Sequence, residues 1–169
     1  NPTIRGIWHL NYLADDHYYY NSVRIGGTTT SGGSSAYTYA FHDQYDTKTV
    51  TVRNNIFVNE RTSAGTQRHY ALVSNGGLVH SHNNLYSANL GAHTASLDNG
   101  STSLSYATWK ASHDVNAHNE LPIFDNPASD LHITAGNDTL EAAGIDLSLS
   151  PLVHVIDIDG QSRPNPPSI

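Results

Sequence analysis

The chain of 169 residues is long enough for one sizeable core, and nothing in its length calls for a second domain. A net charge of −7 with only 8 Lys and Arg leaves no basic footprint for nucleic acid or an anionic membrane surface. The absence of cysteine excludes disulfides and thiolate metal sites, and no apolar run approaches the roughly 20 residues of a membrane-spanning helix.

Charged residues make up 14% of the chain, while Gly, Ser, Thr and Asn are abundant and β-branched residues come in short runs, a balance that favours strands and turns over helices. The chain opens on Asn1-Pro2 without a Met or a signal-peptide pattern, which reads as a soluble protein already processed or cut from something larger.

In chain order, three segments align on asparagine: HYYYNSVRI (17–25) around Asn21, TVRNNIFV (51–58) around Asn54 and HSHNNLYS (80–87) around Asn83, 33 and 29 residues apart. Such a period suits one coil of a stacked repeat architecture, with two or three short strands and their turns per coil. Strand alternation then predicts Val23, Ile56 and Leu85 as an inward aliphatic ladder, followed by Ile25, Val58 and Ser87, with Ser22, Asn55 and Asn84 facing the other way. Asparagine suits the centre of each copy because it tolerates left-handed backbone and can hydrogen-bond its own kind one coil away.

Between these segments, AYTYAFH (36–42) and HYALVS (69–74) supply further strands, and GGTTTSGGSS (26–35), RTSAGTQ (61–67) and SNGG (74–77) read as protruding turns. SLSYATWKAS (103–112) is predicted as a short helix starting near Ser103, with Leu104, Ala107 and Trp109 on one side. Beyond it lie two apolar runs, 130–136 and 142–149, and a Pro-rich end suited to shielding strand edges. The expected organisation is a single domain: regular coils over 1–102, a helical or loop insertion over 103–120, and the last coils with an irregular C-terminal cap over 121–169.

YNSVRIGG (20–27), VTVRNNIFVN (50–59), HSHNNLYSA (80–88), the 103–112 segment, PIFDNPASDLHITAG (122–136) and DIDGQSRPNPPSI (157–169) together resemble right-handed parallel β-helix proteins of the pectate-lyase-like superfamily, in particular the C-terminal parts of large bacterial surface proteins. The resemblance implies an all-β right-handed parallel β-helix with an asparagine ladder. It also implies export to the cell exterior and a role in adhesion or in handling polysaccharide. It names no substrate, since this scaffold carries lyases, hydrolases, adhesins and structural stalks alike.

The repeat phase predicts two outward rows, Tyr20, Arg53 and His82, and Arg24, Phe57 and Tyr86. Aromatic faces stack on pyranose rings and Arg pairs with uronate carboxylates, so these rows are candidate glycan ligands, although such residues more commonly just stack on one another. His80 and His82, two of 11 histidines, have the i, i+2 spacing of a metal pair on one strand face. No third ligand is evident nearby; Asp98, His93 or a residue of an adjacent coil could serve, and polar residues facing outward on a coil explain the pair as well. Asp157, Asp159 and Gly160 form a fragment of a calcium loop, and a turn or a pairing with Arg163 explains them as well.

Lys48, Arg53, Tyr45, Asp43 and Asp46 fall near one loop and could be assembled into a lyase site, but no motif ties them together. The leading expectation is therefore an extracellular, non-catalytic structural or adhesive module, with polysaccharide as the candidate ligand of its outward rows. A lyase or hydrolase fragment comes second, and a filament subunit pairing end to end through open strand edges third.

Overall fold

The computed structural model describes residues 3–10, 13–29, 37–45, 48–88, 93–134, 136, 139–149, 156, 159–163 and 167–169. Residues 30–35 of the predicted turn at 26–35, Asp46, Asp157 and residues 164–166 of the Pro-rich end lie outside them.

Three short strands recur in each repeat. The first repeat comprises β1 (Ile4–His9), β2 (Asp16–Tyr19) and β3 (Ser22–Ile25), with a two-residue strand β4 (Thr28–Thr29). The second comprises β5 (Thr38–Asp43), β6 (Val50–Arg53) and β7 (Ile56–Asn59), with β8 (Thr62–Ser63). The third comprises β9 (His69–Val73), β10 (Leu78–Ser81) and β11 (Asn84–Ser87), followed by β12 (Ala95–Ser96).

Corresponding strands pair in parallel, giving sheets ordered β1-β5-β9-β12, β2-β6-β10 and β3-β7-β11. The fold is thus mostly β, built of stacked parallel sheets whose inward faces share one core of Phe41, Val50, Val52, Phe57, Leu72 and Leu85. Burying each such side chain contributes about 1.5–3 kcal/mol, which makes the shared interior the main source of stability.

The aligned register differs from the predicted one by a residue in the middle repeat. Val23 pairs with Phe57, and Phe57 with Leu85, so Phe57 and not Ile56 completes the inward column. The ladder runs Asn21–Asn55–Asn83, with separations of 34 and 28 residues. Asn55 Oδ1 accepts from Asn21 N and Nδ2, at 3.0 and 2.9 Å, and Asn83 Oδ1 accepts from Asn55 N and Nδ2, at 3.1 and 3.0 Å. Asn54 instead occupies the left-handed corner, φ 54°, in line with Tyr20 at 56° and His82 at 55°. Each doublet, Asn54-Asn55 and Asn83-Asn84, offers two asparagines, and a slip of one reverses every side chain of a strand.

In the first sheet Ala40 and Phe41 both enter the core while Tyr39 and His42 stack on the opposite side, their ring centroids 4.4 Å apart. A Cβ on Gly6 would come 2.3 Å from Val23 Cγ1 and 2.7 Å from Ala40 O, so only glycine fits where β1 crosses the first repeat. Because the Ala40 carbonyl cannot retreat, Gly6→Ala is expected to cost about 1–3 kcal/mol in urea unfolding.

The helix forms as α1 (Tyr106–Ser112), starting later than Ser103 because Ser105 is its cap: Ser105 Oγ accepts from Thr108 N. Trp109 is fully buried in the shared core, whereas Leu104 bridges to Ala95 and Ala107 is exposed. The helix and the segment 117–120 cover the far end of the stack. His118 N donates to Asn83 O, and Leu85 N to His118 O.

The C-terminal part does not add a coil among the described residues. Strands β13 (Phe124–Asn126) and β14 (Asp130–Ile133) form an antiparallel hairpin. Phe124, Leu140 and Ile169 pack with Ile56 and Val58, on the outer face of β3-β7-β11. Asn54 anchors this cover, donating to Ile145 O at 2.7 Å and accepting from Ile145 N at 2.9 Å. The terminal segment therefore shields the side of the stack, while α1 closes its end.

Candidate functional site

The two predicted outward rows are largely engaged by the chain itself. Phe57 is 0% exposed and stacks on Phe41 with centroids 5.3 Å apart, so its predicted outward placement is corrected by the register shift. The row containing Arg24 and Tyr86 passes through Val58, not Phe57. Tyr86 packs in the cluster beneath the C-terminal segment, and Arg24 pairs with Glu60 and donates to Pro127 O. The other row runs Tyr20, Asn54, His82, with Arg53 one place earlier beside Tyr19 and Ser81. The Arg163 guanidinium lies over the Tyr20 ring at 4.0 Å.

His80 and His82 do not share a strand face. His80, in register with Val52, points inward and packs 4.5 Å from the Trp109 ring, whereas His82 sits at the left-handed corner. Among the described residues no group of three His, Asp or Glu is arranged to hold a metal ion. His93 accepts or donates at 2.8 Å with Ser103 Oγ, and Asp98 accepts from Ser96 and Thr102, bonds that hold its carboxyl down at about 2. Asp159 lies 2.7 Å from His132 Nε2, and Asp130 reaches the other ring nitrogen at 2.5 Å. Asp157 lies outside the described residues.

The loop considered for catalysis is not assembled. Asp43 is 0% exposed and commits one oxygen to His9 Nδ1 at 2.8 Å and the other to Ser74 Oγ at 2.8 Å. His9 Nε2 lies 2.9 Å from Asp16 Oδ2. This buried His9–Asp43–Ser74 series links three successive repeats, as the asparagine ladder does at another corner. Lys48 is exposed, and Tyr45 approaches Asp43 through its backbone N–H at 3.3 Å.

A different surface carries the aromatic and cationic groups. On the outer face of the first sheet the Arg5 guanidinium lies over the Trp8 ring at 4.1 Å and 5.8 Å from the Tyr39 ring. Tyr39 stacks on Tyr70 at 5.9 Å, with 10° between their planes. Trp8 remains 47% exposed, with its indole N–H donating to Gln44 Oε1 at 3.0 Å.

The arrangement is fixed from beneath. Arg5 Nε donates to His42 Nδ1 at 2.8 Å, which leaves the His42 Nε2–H to donate to Asn99 Oδ1 at 2.9 Å. Burial holds the His42 imidazole below its ordinary range and pushes the Tyr39 phenol up to about 12, so both stay neutral beside the Arg5 charge. The asparagine repeat contains no marker for these strands, and strict alternation would put Arg5 and Trp8 of RGIWH (5–9) on opposite faces, so the site is missed from sequence.

Burial likewise lowers His69, His80, His82, His93 and His118. Folded, these groups and His42 bind fewer protons than unfolded, so the stability they permit is present above about pH 6.5 and is lost as pH falls. Hydrogen bonds to Asp130 and Asp159 raise His132, whose contribution has the opposite sign and is lost as pH rises, but it is exposed and solvent-screened. The melting temperature is expected to fall between about pH 7 and pH 5. Calorimetry across that range checks it, and a rise on acidification contradicts it.

No protein-family model, curated protein or solved structure matches the chain. Among the described residues no helix is long and apolar enough to cross a membrane.

Proposed function

We propose that the chain is a right-handed parallel β-helix module of the pectate-lyase-like kind. In this reading it works at the cell exterior as a structural and adhesive element and takes carbohydrate along the outer face of its first sheet. Three parallel sheets in common register and an asparagine ladder support the architecture. The half-exposed Trp8 ring, held by Arg5 beside Tyr39, carries the binding reading. An indole face stacks on the apolar face of a pyranose, and a neighbouring guanidinium adds hydrogen bonds to hydroxyls or to a uronate carboxylate.

The two tryptophans make the test internally controlled, because Trp8 is exposed and Trp109 is buried. Neutral and uronate-containing oligosaccharides are titrated while the two indole N–H resonances are followed. The Trp8 signal is expected to move and the Trp109 signal to stay. Trp8→Ala should weaken binding about tenfold, the loss of one aromatic stack. A panel in which neither resonance moves contradicts the reading, and ultraviolet absorbance from an unsaturated uronate product would assign a lyase instead.

A further inference from the structure

The two ends of the stack differ. At one end α1 and residues 117–120 complete the core and pair with the last strands. At the other, β1, β2 and β3 are the edge strands of all three main sheets. The inward side chains of that first repeat, Ile7, Tyr18 and Val23, are only partly buried, whereas their register partners Phe41, Val52 and Phe57 are 0% exposed.

The asparagine ladder has a direction. In the second and third repeats the side-chain oxygen accepts the ladder N–H groups of the preceding repeat. The side-chain nitrogen reaches back to a carbonyl of that same preceding repeat: Asn55 to Tyr18 O and Asn83 to Val52 O, each at 2.9 Å. Asn21 makes the forward bond to Asn55, but among the described residues its Oδ1 takes no hydrogen bond and its Nδ2 finds no preceding carbonyl. Both Nδ2 hydrogens are already donated, to Tyr19 O and Asn55 Oδ1, so it is Oδ1 that calls for a strand corner running the same way as Tyr19–Ser22.

We propose that the edge formed by β1, β2 and β3 is a docking surface for one further three-strand repeat, parallel to them and with asparagine at its corner, supplied by the polypeptide that leads into β1. The hydrogen-bonding pattern is continuous with the two established repeat-to-repeat interfaces. A chain entering β1 from such a repeat has the required direction, just as the chain entering β5 from the first repeat does. A second copy stacked head to tail lacks the matching end, since its last repeat is already paired to His118 and closed by Trp109. The inference stands apart from the carbohydrate reading, which concerns the outer face of the first sheet.

Hydrogen exchange on the protein isolated from its source, beside the 169-residue chain alone, tests it. Alternate β1 amides that face away from β5 are expected to exchange freely in the short chain and at least about a hundredfold more slowly in the source protein. Asn21→Leu should lower the melting point less than Asn55→Leu in the short chain and by a similar amount in the source protein. Equal, fast exchange of those amides in both proteins overturns the proposal. So does a short chain that sizing shows to be a dimer with β1 amides protected, because a second copy would then be the occupant.

Discussion

Phe57→Ala is expected to destabilise the protein by about 3–5 kcal/mol, the cost of an emptied aromatic site in a packed core. The ring is fully buried between Val23 and Leu85 in the stacked column and lies against Phe41, which in turn meets Tyr18 edge-on at 5.1 Å. A small domain has about 5–15 kcal/mol in total, so the variant should sit near the limit of folding. Were Phe57 an outward ligand contact, as the asparagine spacing suggests, the same change would fall within about 0.5 kcal/mol. Urea unfolding separates the two by far more than its error. Phe57→Leu, which retains most of the volume, should cost less than about 1.5 kcal/mol.

The second large effect is at Asn55. Its side chain bonds Asn21 N and Nδ2, Tyr18 O, Arg53 O and Asn83 Oδ1, and the residue is completely buried. Asn55→Ala strands several of these groups away from water, and a loss on the order of 3–4 kcal/mol follows from the usual penalty for each. Asn54→Ala serves as the comparison. It removes two bonds to Ile145 and places alanine at φ 54°, together about 2–3 kcal/mol. The order Asn55 above Asn54 is the signature of the observed register, and the reverse order would indicate the register that the spacing alone suggests.

The ambiguity behind that register is physical. Asparagine is favoured both at a left-handed corner and in an amide ladder, so a doublet satisfies either assignment. In the first repeat the single Asn21 follows Tyr20, and in the third Asn83 follows His82; only a residue such as Asn54 at the corner itself makes the second repeat look shifted. The strands at the asparagine segments and around 38–43 and 69–73, the approximate repeat length, the turn at 74–77 and the helix around Trp109 were legible from alternation and from turn and cap chemistry. By contrast, β1 carried no marker, and the segments read as turns at 26–35 and 61–67 hold the parallel pair β4 and β8. The inward positions Val23 and Leu85 were legible too, since the first and third repeats are in phase.

The fate of the outer faces was not legible. Alternation sends Arg24 and Tyr86 out of one side of a sheet but places Val58 inward. It tells neither that the register turns Val58 outward beside them nor that Leu140, Phe124 and Ile169 return from far along the chain to cover that face. Nor does local pattern disclose that Asp43, in a polar stretch, is drawn inward to bridge His9 and Ser74. The Trp8–Arg5–Tyr39 face depends on two repeats meeting in register, which pairs Arg5 with Tyr39. No spacing within one segment reveals such a contact.

Proposed function and docking edge both rest on the stacking order, and cross-repeat contacts between side-chain amides test that order most directly. In nuclear Overhauser spectra of the isotope-labelled protein, the Asn55 side-chain amide is expected to contact the Asn21 backbone and side-chain N–H groups on one side and Asn83 on the other, while Asn54 contacts Ile145. Contacts that link Asn21 to Asn54 and Asn54 to Asn83, with Asn55 pointing outward, would contradict the stack described for this protein.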